Sequence, residues 1–375
     1  MQGENLMATV TPATPHTVSV PTTYNIIDSA GLFTLPDPVW LIDHWCMRET
    51  ITLLTGPSGS FKTFVALDLA LKAATPTFTH FGPHYIDRST ATAFGGGLKV
   101  LYVFGESIGS AKYRVRAWER HNRVDSVRVP MLWHPDKMSL LLEGQKVRDT
   151  VDMHDPDIVI FDTWSRNTYG MDENNKQDVD KAMNLAHDLK KGGSRGGRSI
   201  IFLHHPPAAA GKFYRGHTSM LNDSDIMITT ERFETESTAP PLYTKIRSVR
   251  QKETDDFEPY WATLELVEPL DYATGKPIPR PSGMGNYESL VVTDHRAMPV
   301  SAVSVSSTED QMIEYIKNNP GVKPKDIQAE LWPDKPTGKN VYEYTKKAMA
   351  EGKLARNIDG GFVVVPSTRA TLEDL

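Results

Sequence analysis

The eight residues Gly56-Pro57-Ser58-Gly59-Ser60-Phe61-Lys62-Thr63 constrain this chain more than any other feature. They follow a short apolar run, 51–54, with the composition of a buried strand, and lead into an apolar, alanine-rich stretch, 64–71, that reads as a helix. Strand, glycine loop and helix is the context in which such a segment holds phosphate. Gly56 and Gly59 let the backbone curl until successive N–H groups face an anion, and the helix start adds its partial positive charge. Lys62 is then the contact to the β- and γ-phosphates, and Thr63 the hydroxyl for Mg²⁺. The expected nucleotide contacts are Gly56, Pro57, Ser58, Gly59, Ser60, Phe61, Lys62, Thr63 and Phe64, with ATP and Mg²⁺ as cofactors. The usual motif has glycine directly before the lysine, and this chain has Phe61 instead.

Further apolar runs at 100–104, 158–161, 200–203, 226–230, 242–249 and 262–267 alternate with helical stretches. Most are continuously apolar, as strands buried on both faces should be, which predicts an α/β fold with a mostly parallel sheet. The run Asp157-Ile-Val-Ile-Phe-Asp162 ends in an acid, and Asp162 is placed as the carboxylate that holds Mg²⁺. The run 99–104 ends in Gly105-Glu106, which puts a second carboxylate at a strand end, where α/β sheets collect their ligands.

A chain of 375 residues with 39% hydrophobic content can bury a sizeable core and more than one domain. It has one cysteine, Cys46, so neither a disulfide framework nor a thiolate zinc module is available. No apolar run reaches the roughly 18 residues of a membrane span, and the first residues lack a basic stretch followed by an apolar core. A cytoplasmic protein without a membrane is expected. Its net charge of −6 means that any contact with nucleic acid depends on local basic clusters.

The composition divides the chain into a tail at 1–22, a nucleotide-binding core at 23–269, an irregular Pro/Gly/Ser-rich extension and linker at 270–307, a small module at 308–368 and a tail at 369–375. Within the module, three short helical patterns precede two apolar runs around Asp359-Gly360-Gly361, a hairpin signal. Three helices and a hairpin is the order of a winged helix-turn-helix. Its third helix and hairpin would bring Lys346, Lys347 and Arg356 to duplex DNA, or dock a protein.

Trp40-Leu41-Ile42-Asp43, the Gly-Pro-Ser-Gly-Ser-Phe-Lys-Thr loop, Gly105-Glu106, Asp162-Thr163, Asp172-Glu173-Asn174 and His204-His205 occur in one order. Over residues 36–270 the chain thereby resembles the RepA-like AAA ATPases of phages and plasmids, relatives of the hexameric RepA and DnaB helicases. In that group phenylalanine before the P-loop lysine is familiar. The resemblance implies a RecA-like core in which Glu106, on the strand next to the P-loop strand, is general base for the attacking water. It implies that His204, at a strand end beside the γ-phosphate, senses hydrolysis. Loops at 164–175 and 206–219 would line a ring channel and grip single-stranded DNA through Arg166, Lys212, Tyr214 and Arg215. A neighbouring subunit would contribute a trans finger from Arg250 and Lys252, or from Arg247. The function so implied is a ring-forming, hexameric DNA motor, a replicative helicase. A recombination and repair ATPase and an ATP-switched loader or regulator stand as alternatives.

Overall fold

The computed structural model describes residues 26–91, 93–105, 108–172, 175–205, 219–233, 239–281, 283, 285–296, 308–331, 339–357 and 359–365. The chain divides into two units between Pro38 and Val39. In the first unit the short helix α1 (Ser29–Leu32) is capped by the Asp28 carboxylate, which accepts from Gly31 N at 2.8 Å.

The second unit opens with two small strands, β1 (Trp40–Ile42) and β2 (Cys46–Met47), paired antiparallel. The phosphate loop joins β3 (Ile51–Thr55) to α2 (Lys62–Ala74). A hairpin, β4 (His80–Phe81) and β5 (His84–Tyr85), precedes β6 (Val100–Phe104), α3 (Ile108–Asn122), β7 (Met131–His134), α4 (Gly144–His154) and β8 (Ile158–Asp162). Then come α5 (Trp164–Asn167), α6 (Lys176–Lys191), β9 (Ser199–His204), α7 (Ser219–Asp223) and four successive strands, β10 (Ile226–Phe233), β11 (Leu242–Gln251), β12 (Tyr260–Val267) and β13 (Ser289–Arg296).

Nine strands form one sheet in the order β13-β12-β11-β10-β3-β9-β8-β6-β7. From β10 to β7 all pairs are parallel; β10 to β13 run as an antiparallel meander. The fold is therefore α/β with a RecA-like, mostly parallel sheet, as the apolar runs predict. Successive residues serve opposite faces. Leu54, Ile160 and Leu203 pack with α2 and α3, while Leu53, Val159 and Phe202 pack with α4 and α6.

Two strands of the nine-stranded sheet escape the sequence reading. Met131–His134 is short and preceded by Pro130. Ser289–Arg296 lies inside the stretch expected to be irregular, where Pro and Gly dominate the neighbouring composition. It completes the sheet by pairing with β12, so residues 289–296 belong to the core and not to a linker. Adjacency is also corrected: β6, which carries Gly105, is separated from β3 by β9 and β8.

The amino edge of the parallel strands is closed by ion pairs. Asp157 bonds Arg48 at 2.8 Å and Arg195 at 2.7 Å, and accepts the Lys99 amide. Asp225 bonds Lys190 at 2.8 Å and Lys252 at 2.9 Å, and accepts the Ile51 amide. Burial raises the Asp225 carboxyl, but Lys190, the amide and Lys252 outweigh it and hold it below its ordinary value.

The C-terminal module contains α8 (Thr308–Asn318), α9 (Pro324–Leu331), α10 (Lys339–Ala350) and the antiparallel pair β14 (Leu354–Arg356) and β15 (Phe362–Val364). It has its own small core of Met312, Ile316, Ile327, Val341, Ala348, Leu354 and Phe362. Among the described residues, no helix is long and apolar enough to cross a membrane.

Candidate functional site

β3, β9, β8 and β6 end side by side, with Thr55 opposite His204 and Asp162 between Leu203 and Phe104. The loop after β3 therefore faces the ends of the other three strands. Gly56 is required there. A Cβ on it would come within 2.6 Å of Ser60 Oγ and 2.7 Å of Thr230 Oγ1, so a side chain would displace the loop from β10. The loop is pinned on that side: Ser60 Oγ and Thr230 Oγ1 share a hydrogen bond of 2.9 Å, and Thr244 Oγ1 donates to Ser60 O at 3.1 Å.

Lys62 is the first residue of α2 and its side chain folds back over the loop. Its ammonium donates to Gly56 O at 2.6 Å and Pro57 O at 2.9 Å, and lies 3.1 Å from His205 Nδ1. Burial pushes it down to about 8, against the opposing pull of Asp162. Its hydrogen-bond partners are neutral, two carbonyl oxygens and an imidazole nitrogen among them, and a bound phosphate would supply an anion in direct contact. Thr63 Oγ1 donates to Asp162 Oδ1 at 3.3 Å, while Tyr102 Oη donates to Asp162 Oδ2 at 2.8 Å. A hydroxyl converging with a carboxylate that is oriented from behind fits the hard oxygen ligand set of Mg²⁺.

Phe61 occupies the left-handed region, with φ 67° and ψ 19°. Glycine takes that conformation freely, whereas another residue is disfavoured by about 1–2 kcal/mol. The ring packs against the apolar core, with Phe64 at 6.5 Å and the Arg232 guanidinium at 5.5 Å.

Of the remaining expected residues, some gather at the carboxyl edge and some do not. His204 is buried at the end of β9, and the ring that reaches Lys62 is that of His205. Arg166 is exposed on α5 and lies against Gly105, whose amide donates to Asp162 O at 2.6 Å. Trp164 is not part of a loop. It begins α5 and is buried edge-on to Phe202, 4.9 Å away. Glu106, Glu173 and Asn174, with Lys212, Tyr214 and Arg215 in the 206–218 segment, lie outside the described residues.

β11 runs on to Gln251, so Arg250 is within the strand, opposite Met227 and close to the amino edge, where Lys252 is held by Asp225. Both therefore lie at the end of the sheet away from the cradle. Arg247 sits opposite Thr229, level with Thr55. In the C-terminal module Lys346, Lys347 and Arg356 are exposed; Lys346 lies 5.8 Å from the Tyr342 ring and Arg356 4.8 Å from the Phe362 ring.

The sequence reading missed a cavity of about 520 Å³ beside the start of α2, lined by Phe64, Tyr113, Arg114, Tyr287, Glu288 and Leu290 among others. Tyr113 and Tyr287 stack at 4.0 Å, and the Arg114 guanidinium lies 5.3 Å from the Phe64 ring. Half of this wall comes from residues after 265. No local motif marks them, because only the β12–β13 pairing brings them to α3.

The sequence profile of the AAA_25 family of AAA domains matches residues 17–210, more than half of the chain. The chain belongs to this family. It is a P-loop ATPase whose matched span takes in the cradle, Asp162 and His204. No curated protein matches the sequence. Among solved structures, a KaiC-like protein from the hyperthermophilic archaeon Pyrococcus horikoshii OT3 is similar at 13% identity, with a TM-score of 0.38, over 59% of this chain and 88% of that one.

Proposed function

We propose that the chain binds ATP with Mg²⁺ at the carboxyl edge of the sheet and uses its hydrolysis to move along single-stranded DNA, as a ring-forming motor of the replicative helicase type. The observation that carries the nucleotide part is the convergence of the buried Lys62 with the Thr63–Asp162 pair at 3.3 Å. Lys62 would bind the β- and γ-phosphates, and Thr63 and Asp162 would hold Mg²⁺, which neutralises charge on the phosphates. Glu106 would position the attacking water. His204 and His205 would report the loss of the terminal phosphate to the segment at 206–218. The cavity between Phe64, Tyr113 and Tyr287 would take the base, since its stacked rings offer a flat apolar wall.

Action on DNA is supported by exposed Arg166 beside the nucleotide edge, and by the RepA-like order of motifs. Lys212, Tyr214 and Arg215 would join it in gripping the strand. Arg250 and Lys252, or Arg247, would complete the site of a neighbouring subunit. The test is unwinding of a forked duplex with ATP and Mg²⁺, compared with a blunt duplex. Strand separation dependent on the single-stranded arm is expected. ATP turnover that single-stranded DNA leaves unchanged, with no unwinding under any loading condition, would reject the motor.

The C-terminal module favours a second reading. Three helices followed by a hairpin, with Lys346, Lys347 and Arg356 exposed, suit a winged helix that recruits duplex DNA or a protein. The chain would then be an ATP-switched loader or regulator. Sequence-specific duplex binding without translocation would support it.

A further inference from the structure

We propose that Arg232 binds the phosphates of the nucleotide in its own subunit, and that Phe61 stands before Lys62 to hold Arg232 in place. The inference rests on the nucleotide reading of residues 56–63 and adds a second cation to that site. Its starting point is a residue that local structure alone does not favour. Phe61 is the left-handed residue at the start of α2, a place suited to glycine, and its side chain makes no capping hydrogen bond. What the ring does carry is the Arg232 guanidinium, 5.5 Å from its centroid.

The strand that bears Arg232 is the one that fixes the loop. Thr230, two residues earlier on β10, shares a hydrogen bond of 2.9 Å with Ser60. Residues two apart point to the same face of a strand, so Arg232 leaves β10 on the side that meets the cradle. Its partner across the β10–β11 pairing is Thr244, whose hydroxyl donates to Ser60 O at 3.1 Å. Two of the three neighbouring side chains on this face hold the loop by hydrogen bonds. The third is a cation over the ring that precedes Lys62.

An arginine stacked on a ring uses the face of its guanidinium and keeps the N–H groups at its edge for an anion. A lysine can lie over a ring, but its compact charge offers no planar fork of N–H groups to a phosphate at the same time. The arrangement repeats one turn along α2. Phe64 lies 6.5 Å from Phe61 and carries the Arg114 guanidinium at 5.3 Å, at the wall of the cavity. Two ring-held cations thus stand between the phosphate loop and the cavity. A surface cation–aromatic contact without a phosphate role would leave nucleotide affinity untouched.

The experiment is a double-mutant cycle in the full chain, reading affinity for ATP and for AMP by calorimetry. Arg232→Ala and Phe61→Gly should each weaken ATP about tenfold, the scale of one charge-assisted hydrogen bond, and the double variant should lose no more than either alone. AMP should lose much less. Arg232→Lys should behave as Arg232→Ala. Phe61→Gly gains backbone freedom but loses the ring's packing against the core, so Phe61→Leu is measured beside it: it keeps apolar bulk without an aromatic face and should lose ATP to the same extent. Phe61→Gly with wild-type ATP affinity, or losses that multiply in the double variant, would overturn the proposal. Lys62→Ala separates the two levels: if it loses ATP while Arg232→Ala does not, only the role of Arg232 falls. If Lys62→Ala binds ATP as wild type, the cradle reading falls and takes the proposal with it.

Discussion

Nucleotide binding should take up a proton on the alkaline side of neutrality, and Lys62 is the reason. Its ammonium is buried against carbonyl oxygens, and burial brings it down to about 8. Phosphates placed beside it restore the charged form, so binding moves its pKa back to or above the ordinary value near 10.5. At about pH 8.5 a group of pKa about 8 is about one-quarter protonated, and one near 10.5 is almost fully so. Each ATP bound there should draw about 0.75 of a proton from solution, against about 0.1 at about pH 7. The same linkage predicts that affinity falls about tenfold between roughly pH 7 and pH 9. With Mg²⁺ saturating, the terminal phosphate has lost its last proton across this window and does not contribute. Calorimetric titration at about pH 8.5, in two buffers of different ionisation enthalpy, reads the uptake directly, and Lys62→Ala should abolish it. Equal apparent enthalpies in the two buffers would refute the buried, depressed Lys62.

The geometry sets three further outcomes. Gly56→Ala should abolish ATP binding while the chain stays folded, because its Cβ meets Ser60 and Thr230, the contacts that pin the loop; thermal melting beside nucleotide titration checks it, with an expected stability loss of about 1–3 kcal/mol. Asp157→Asn removes the charge that Arg48 and Arg195 share in the interior and should destabilise the fold by about 3–5 kcal/mol in chemical denaturation. It should leave the Michaelis constant for ATP in place, since Asp157 lies at the opposite edge of the strands. Asp68 is buried on Lys72, His295 and Trp118, and although burial raises its carboxyl, these partners bring it down to about 2. A depressed carboxylate stabilises the fold above its unfolded value, so about 2 kcal/mol should be lost as pH falls from about 4 to about 2, and Asp68→Asn should flatten that part of the stability profile.

Much of the core was legible because a strand buried on both faces leaves a continuous apolar run, and the loop at 56–63 gives the later runs their place in a nucleotide-binding sheet. Asp162 could be placed from its position at the end of such a run. The order of strands could not, since parallel strands carry no mark of their neighbours; the strand leading to Glu106 was expected beside β3, and β6 is separated from it by two others. Trp164 was expected in the DNA-facing loop 164–175, yet its apolar surface suits the core against Phe202. Ser289–Arg296 was hidden by the Pro and Gly around it, and with it the tyrosine wall of the cavity. Phe61 was legible as a departure from the usual motif and as a feature of the RepA-like group, but its contact with Arg232 depends on β10, some 170 residues downstream.

The central claim is that residues 56–63 hold a nucleotide whose hydrolysis this chain performs. The most direct measurement is phosphate release from ATP by the full chain, with and without Mg²⁺ and single-stranded DNA, beside Lys62→Ala and Asp162→Asn. Release that requires Mg²⁺ and disappears in both variants, with circular dichroism unchanged, is predicted. Wild-type turnover in Lys62→Ala would contradict the account.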